Sequence, residues 1–186
     1  MSDPTETAVT AHPGMAHPGM ALPGMTFPAM DWPQTDGGRL NPAAMTGWRM
    51  LVVYRGAHCP LCKTYLKTLE ALKAGFAEAG IAVAALSADP ADRAAAEASE
   101  QSWTFPVGYD LTPDQMRGLG LYVSAPRSAQ ETDRPFAEPG VFVINPDGAV
   151  QIVDISNAPF ARPDLAALLR GISFVQAKSY PIRGTA

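Results

Sequence analysis

Met50-Leu51-Val52-Val53-Tyr54 is an unbroken apolar run of strand length, the pattern of a β-strand covered on both faces. A short turn, Arg55 to His58, separates it from Cys59. Over residues 60–79 the apolar period becomes helical: Tyr65, Leu66, Leu69, Leu72 and Phe76 share one face, and Gly80 stands where a C-terminal cap belongs. Ile81 to Leu86 is a second buried strand. Asp89-Pro90 reads as an N-cap with proline in the first helical position, opening a helix to about Gln101. Phe105 to Val107 makes a short strand. Thr112-Pro113-Asp114-Gln115 is a capping box for a short helix that Gly118 or Gly120 stops. The polar stretch Ser124 to Glu138, interrupted by Pro126 and Pro135, reads as a loop. Val141 to Asn145, the turn Pro146-Asp147-Gly148 and Ala149 to Ile155 form an antiparallel hairpin. A last helix starts near Pro163-Asp164 and runs to about Lys178, with Gly171 a candidate break. The order β-α-β-α-β-α-β-β-α predicts an α/β fold, a central mixed sheet flanked by helices. Its first strands are parallel with right-handed crossovers, and the hairpin adds an antiparallel edge.

This pattern belongs to residues 36–186. Residues 1–35 differ: positions 11–30 are four tandem copies of a five-residue unit, Ala-His-Pro-Gly-Met twice, then Ala-Leu-Pro-Gly-Met and Thr-Phe-Pro-Ala-Met, with Trp32-Pro33 a decayed fifth. Proline at every fifth position prevents a continuous helix or strand ladder, so an extended N-terminal arm is expected. Thioether and imidazole groups suit copper(I), which makes a metal-responsive tract one reading of the repeat. An apolar arm lying on the domain or on a second subunit of a homodimer is the other.

Charge narrows the classes of function. The 186 residues carry a net charge of −4. Asp3, Glu6, Asp31 and Asp36 account for it, since the first 36 residues hold no Lys or Arg. The body is neutral and has no basic run, which argues against a nucleic-acid binder. No apolar stretch reaches the length of a membrane span, and the N-terminus lacks the basic start and apolar run of a secretory signal. A cytoplasmic enzyme or binding module is expected.

Cys59 and Cys62 are the whole cysteine inventory. A paired-cluster zinc site needs two further ligands, no Gly-rich phosphate loop is present, and neither metal nor cofactor is expected. A structural disulfide closing so short a loop would remove little entropy. Reversible thiol chemistry explains the pair better. Cys59 falls at the tip of a helix, where free N–H groups and a partial positive charge stabilise a thiolate. Cys62 returns to the same face one turn later, deeper in the helix. Cys59 is therefore the expected nucleophile and Cys62 the resolving thiol.

Strand, turn, C-x-x-C and helix, with a proline before a hairpin, resemble the thioredoxin-like superfamily. The segments Tyr54 to Cys62, Glu138 to Gly148, Pro159 to Pro163 and Lys178 to Pro181 resemble more closely the peroxiredoxin-like branch of the alkyl hydroperoxide reductase/thiol-specific antioxidant family. The resemblance implies antioxidant thiol redox catalysis. It also implies a disulfide or peroxide substrate and a reductant from a thioredoxin, glutaredoxin or glutathione system. Two positions depart from the branch. Gly56 stands where peroxiredoxins place a peroxide-orienting threonine, and Pro139 where they place an arginine before the hairpin strand. Pro139 instead matches the cis-proline that faces the cysteines of thioredoxins. The departures favour a thiol–disulfide oxidoreductase over the alternatives, a thiol peroxidase or a non-catalytic redox or copper-responsive binding module.

Beside the pair, His58 is a candidate to tune the nucleophile or shuttle a proton, and Arg55 to hold the thiolate or steer an anionic substrate. Arg127 and Arg134 are candidates to replace the missing arginine in space. Trp103 and Phe105 are candidates for an apolar wall or for core packing.

Overall fold

The computed structural model describes residues 20–185. The first units of the repeat, and with them both histidines of the metal reading, lie outside the described residues. In chain order the elements are β1 (Trp32–Pro33), β2 (Arg39–Leu40), β3 (Trp48–Val53), α1 (Pro60–Glu78), β4 (Ile81–Leu86), α2 (Ala91–Glu100) and β5 (Val107–Gly108). They continue with α3 (Pro113–Gly118), β6 (Val123–Ser124), β7 (Phe136–Ala137), β8 (Gly140–Ile144), β9 (Val150–Ile155) and α4 (Leu165–Lys178).

The central sheet runs β5-β4-β3-β8-β9. β3 lies parallel to β4 and antiparallel to β8, and the β8–β9 hairpin closes one side, so the mixed sheet expected from the sequence is present. Side chains alternate across a strand, and β3 with its extension shows why its run is apolar throughout. Met50, Val52 and Tyr54 enter one cluster with Cys59, Cys62, Leu66 and Ile172. Leu51 and Val53 enter another on the opposite face, with Met116 and Phe142.

α1 buries Cys62, Leu66, Leu69 and Phe76 at spacings of three, four and seven, the stripe of a helix docked on one side. It ends where Gly80 turns left-handed, at φ +69°, and donates its N–H to Ala77. α4 starts at the Asp164 cap, whose carboxylate accepts from Ala167 N at 2.7 Å, and it continues through Gly171 without a break. The stretch expected as a loop, Ser124 to Glu138, contributes Phe136–Ala137 to a two-stranded pair with Val123–Ser124.

Residues 20–35 cross the sheet on the face away from α1. Gly24 donates to Val150 O and Val150 to Met25 O, both at 2.9 Å, which covers the start of β9. Thr35 then donates to Val107 O, and Tyr109 to Pro33 O, covering β5 at the other edge. Unpaired sheet edges are open to other chains, and this segment occupies part of both. Phe27 and Trp32 drop into the core beneath it, each 1% exposed, and Trp32 Nε1 donates to Gln115 Oε1 at 3.0 Å.

Candidate thiol redox site

The strand β3 ends against the sheet, and Arg55 to His58 carry the chain to the N-terminus of α1. Cys59 is the N-cap residue, with extended backbone, and Pro60 takes the first turn where no N–H is needed. Cys59 accepts at its carbonyl from Cys62 N at 3.0 Å and Lys63 N at 3.2 Å, so the first turn closes directly on Cys59. Both cysteines are free thiols, Cys59 2% exposed and Cys62 fully buried.

The pair is strongly polarised. The neighbouring Cys62 thiol favours the Cys59 thiolate most, and the Cys62 backbone amide and Arg55 guanidinium add to this against the cost of burial. Together they pull Cys59 down to about 6. The same proximity to Cys59, with burial, pushes the Cys62 thiol well above its ordinary value. At neutral pH this places the negative charge on Cys59 and the proton on Cys62.

A cleft of about 430 Å³ reaches Cys59 and is bordered by Arg55, His58, Arg127 and Glu131. Arg55 lies over the Phe136 ring at 4.7 Å, 3.5 Å from Glu131 and 3.4 Å from Glu138. Glu131 also holds Arg127, at 3.1 Å, so one carboxylate bridges two arginines across the mouth. His58 rests 4.6 Å from Phe136 with both ring nitrogens buried and without partners among the described residues. Burial and then the Arg55 charge hold it below its ordinary pKa, so it is neutral at pH 7.

Of the two loop arginines, Arg127 joins this cleft. Arg134 points elsewhere, to Asp110, Asp133 and Ala88 O. Trp103 and Phe105 stack at 5.7 Å in the core with Cys59 and Cys62, so they pack under the pair. Pro139 is buried just before β8 and accepts from Ser156 N at 3.0 Å. No peptide bond among the described residues is cis, which corrects the thioredoxin-like proline geometry implied by the resemblance.

Asp89 is also corrected. It does not cap α2, whose N-cap is Pro90 without a side-chain bond. Its carboxylate turns back under the cysteine loop and accepts from Ala57 N at 2.8 Å, with Arg93 at 3.4 Å. Asp-Pro before a helix is the same string whether the acid caps the helix or serves a neighbouring loop. Glu131 and Glu138 went unsingled because charged loop residues carry no periodic signal. Glu97 did have one: it falls three residues after Ala94 on the buried stripe of α2. Among the described residues no group of three or more His, Cys, Asp or Glu could hold a metal, and no helix is long and apolar enough to cross a membrane.

The model of the AhpC/TSA family matches residues 23–153. Among solved structures the chain is similar to the peroxiredoxin 6 of Arenicola marina, at 22% identity and TM-score 0.71 over 86% of this chain and 75% of that one. It is similar to the peroxidoxin BcpB of Mycobacterium tuberculosis, at 24% identity and TM-score 0.67 over 82% and 98%. It is also similar to the AhpC of Enterococcus faecalis, at 18% identity and TM-score 0.70 over 86% and 97%. No curated protein matches the chain. At these identities the structural likeness is one of fold, and it agrees with the thioredoxin-like α/β architecture described above.

Proposed function

This chain belongs to the AhpC/TSA family, whose members are thiol-dependent oxidoreductases, and we propose that it works as a dithiol oxidoreductase through Cys59 and Cys62. The observation that carries the reading is the placement of two free thiols in the first turn of α1, Cys59 at its N-cap and Cys62 three residues on, whose amide donates to the Cys59 carbonyl at 3.0 Å. It supports a resolving group close to the nucleophile, one turn behind it on the same helix.

The Cys59 thiolate attacks one sulfur of a substrate disulfide and displaces the other as thiolate, leaving a mixed disulfide on Cys59. Cys62 loses its proton, attacks the Cys59 sulfur and releases the second substrate thiol. A thiol reductant then reopens the Cys59–Cys62 bond. Arg55 serves as the charge that holds the thiolate. His58 borders the cleft beside the reacting sulfur as a neutral wall, Arg127 with Glu131 sets the polarity of the mouth, and Pro139 shapes the start of β8. Residues 20–35 lie along the same redox domain as an arm.

Family membership favours a second reading, reduction of a hydroperoxide. There the thiolate takes the distal oxygen as a sulfenic acid, the alkoxide leaves with a proton, and Cys62 displaces water to give the same disulfide. Stopped-flow oxidation of the reduced protein separates the two. Fast oxidation by small disulfides with slow oxidation by peroxide fits the dithiol reading, and the reverse order fits the peroxidase. Cys62→Ser trapping a substrate thiol on Cys59 supports the assigned roles, whereas trapping on position 62 in Cys59→Ser refutes them.

A further inference from the structure

The cleft at Cys59 has one wall from the turn before α1 and the other from the loop of residues 127–131, where Ser128 and Gln130 stand exposed. Besides the cysteine, Pro60 is the one apolar residue that borders it among the described residues. Phe136 lies beneath Arg55 and His58, at 4.7 Å and 4.6 Å, and is 2% exposed, so its ring is closed to the opening. An alkyl chain entering here would bury little apolar surface. The volume of about 430 Å³ is that of a small-molecule site, and the recessed Cys59 is out of reach of a flat protein surface.

The charged groups of the mouth differ in what they leave open. The Glu131 side chain is 7% exposed and accepts from Arg127 N at 2.7 Å and Arg127 Nε at 3.1 Å, with Arg55 at 3.5 Å. Glu138, 8% exposed, accepts from Ser124 Oγ at 2.7 Å and faces Arg55 at 3.4 Å. Both carboxylates are turned inward and paired. The Arg127 side chain is 86% exposed. Glu131 holds it through Nε and Nη2, and Nη1 has no partner among the described residues. The guanidinium is thus fixed on one edge and open to a ligand on the rest.

We propose that Arg127 is a specificity-determining residue and that the substrates are small disulfides carrying a carboxylate, which docks on its guanidinium while Cys59 attacks. The inference rests on the dithiol reading above and names the substrate class for it. The bonds made and broken are those already given, and the carboxylate stays ionised and unreacted. Guanidinium and carboxylate form a strong, directional pair, and an arginine already held by Glu131 loses little freedom on engaging it. The Cys59 thiolate repels an approaching anion, so without Arg127 such a substrate is the disfavoured one.

Three disulfides of similar length test this: dithiodipropionate is anionic, hydroxyethyl disulfide neutral and cystamine cationic. Stopped flow gives the second-order rate at which each oxidises the reduced full chain, and the anionic-to-neutral ratio cancels the reactivity of the thiolate itself. Arg127→Gln is expected to lower that ratio about tenfold, the effect of losing one charged hydrogen bond. Arg127→Glu is expected to lower it further and to raise the cationic-to-neutral ratio. Ratios unchanged in both variants, a common slowing of all three disulfides included, overturn the proposal. Insulin oxidising the chain faster than dithiodipropionate overturns the restriction to small molecules. Thiol counts on the same samples report whether Cys59–Cys62 forms. If it does not, the dithiol reading fails separately, and alkylation of Cys59 decides the carboxylate question. The iodoacetate-to-iodoacetamide rate ratio, mapped to Cys59 by mass, falls in Arg127→Gln if the guanidinium holds the anion, and an unchanged ratio overturns the assignment.

Discussion

The carboxylate of Asp89 accepts a 2.8 Å hydrogen bond from the backbone N–H of Ala57, and this one contact fixes the turn that delivers Cys59. The acid is 2% exposed and is itself held by Arg93, which reaches on to Thr132 and Asp133 at 3.1 Å each. The turn is thus tied to the loop on the far side of the cleft. Removing the carboxylate leaves the Ala57 N–H without its acceptor and Arg93 with Thr132 and Asp133 alone. Asp89→Ala is expected to cost ~1–3 kcal/mol in urea unfolding, the penalty of buried groups left unpaired.

Gly56 follows from the same contact. Its φ is +126°, and a Cβ there would stand 2.7 Å and 2.9 Å from the two Asp89 oxygens. A threonine at this position would collide with the group that orients the turn. Gly56→Thr is therefore expected to lower stability by ~1–3 kcal/mol through backbone strain and to leave the peroxide rate no faster than the parent. A thermal melt checks the first outcome and stopped-flow oxidation the second.

Removing the Cys62 thiol while keeping its backbone amide isolates the largest influence on the nucleophile. Cys62→Ala is expected to move Cys59 from about 6 up towards the ordinary thiol value of 9.0. Cys62→Ser keeps a hydroxyl donor and is expected to move it less. Thiolate absorbance against pH reads both.

That Cys59 sits at a helix tip with Cys62 one turn deeper was legible in the sequence, because Val53-Tyr54, a four-residue turn, Pro60 and the Leu66/Leu69/Phe76 stripe leave little freedom in where residue 59 falls. What holds the turn was not. Asp89 is 32 positions from Ala57, and its contact exists only once β3 and β4 pair in register, Val53 against Leu86. Arg55 was visible as a candidate, but its partners Glu131 and Glu138 lie in a polar loop whose path no local pattern dictates. Phe27 and Trp32 were hidden for another reason: the five-residue period masks the apolar residues that the sheet selects from it.

The depressed Cys59 makes stability depend on pH in a window that can be assigned. Unfolded, this thiol titrates near 9.0; folded, near 6. Between these values the unfolded chain binds more protons, so stability rises with pH. Glu97, raised to about 7, acts in the opposite sense below that pH, where the folded state binds the extra proton. The clean interval is pH 7 to 9. Above it the raised Cys62 reverses the trend, since the unfolded thiol ionises and the folded one does not. Reduced protein is expected to gain stability from pH 7 to 9, and Cys59→Ser to lose that gain, in urea titrations at each pH.

The repeat contributes to the fold where its side chains reach the sheet, and two positions in adjacent units separate that contribution from composition. Phe27 is 1% exposed and meets Phe142 edge-on, ring centroids 5.8 Å apart. Met25, two residues earlier, is 55% exposed. Truncating a buried aromatic ring removes its transfer energy and leaves a cavity, so Phe27→Ala is expected to cost ~3–5 kcal/mol. Surface changes away from special contacts stay within about 0.5 kcal/mol, and Met25→Ala belongs with them. Because residues 20–35 hydrogen-bond at both edges of the sheet, loss of Phe27 is further expected to speed hydrogen exchange at Tyr109 and Val150, whose N–H groups donate to Pro33 O and Met25 O. Equal destabilisation by the two substitutions, or protection at both edges unchanged in Phe27→Ala, would mean that the segment rests on the body without supporting it.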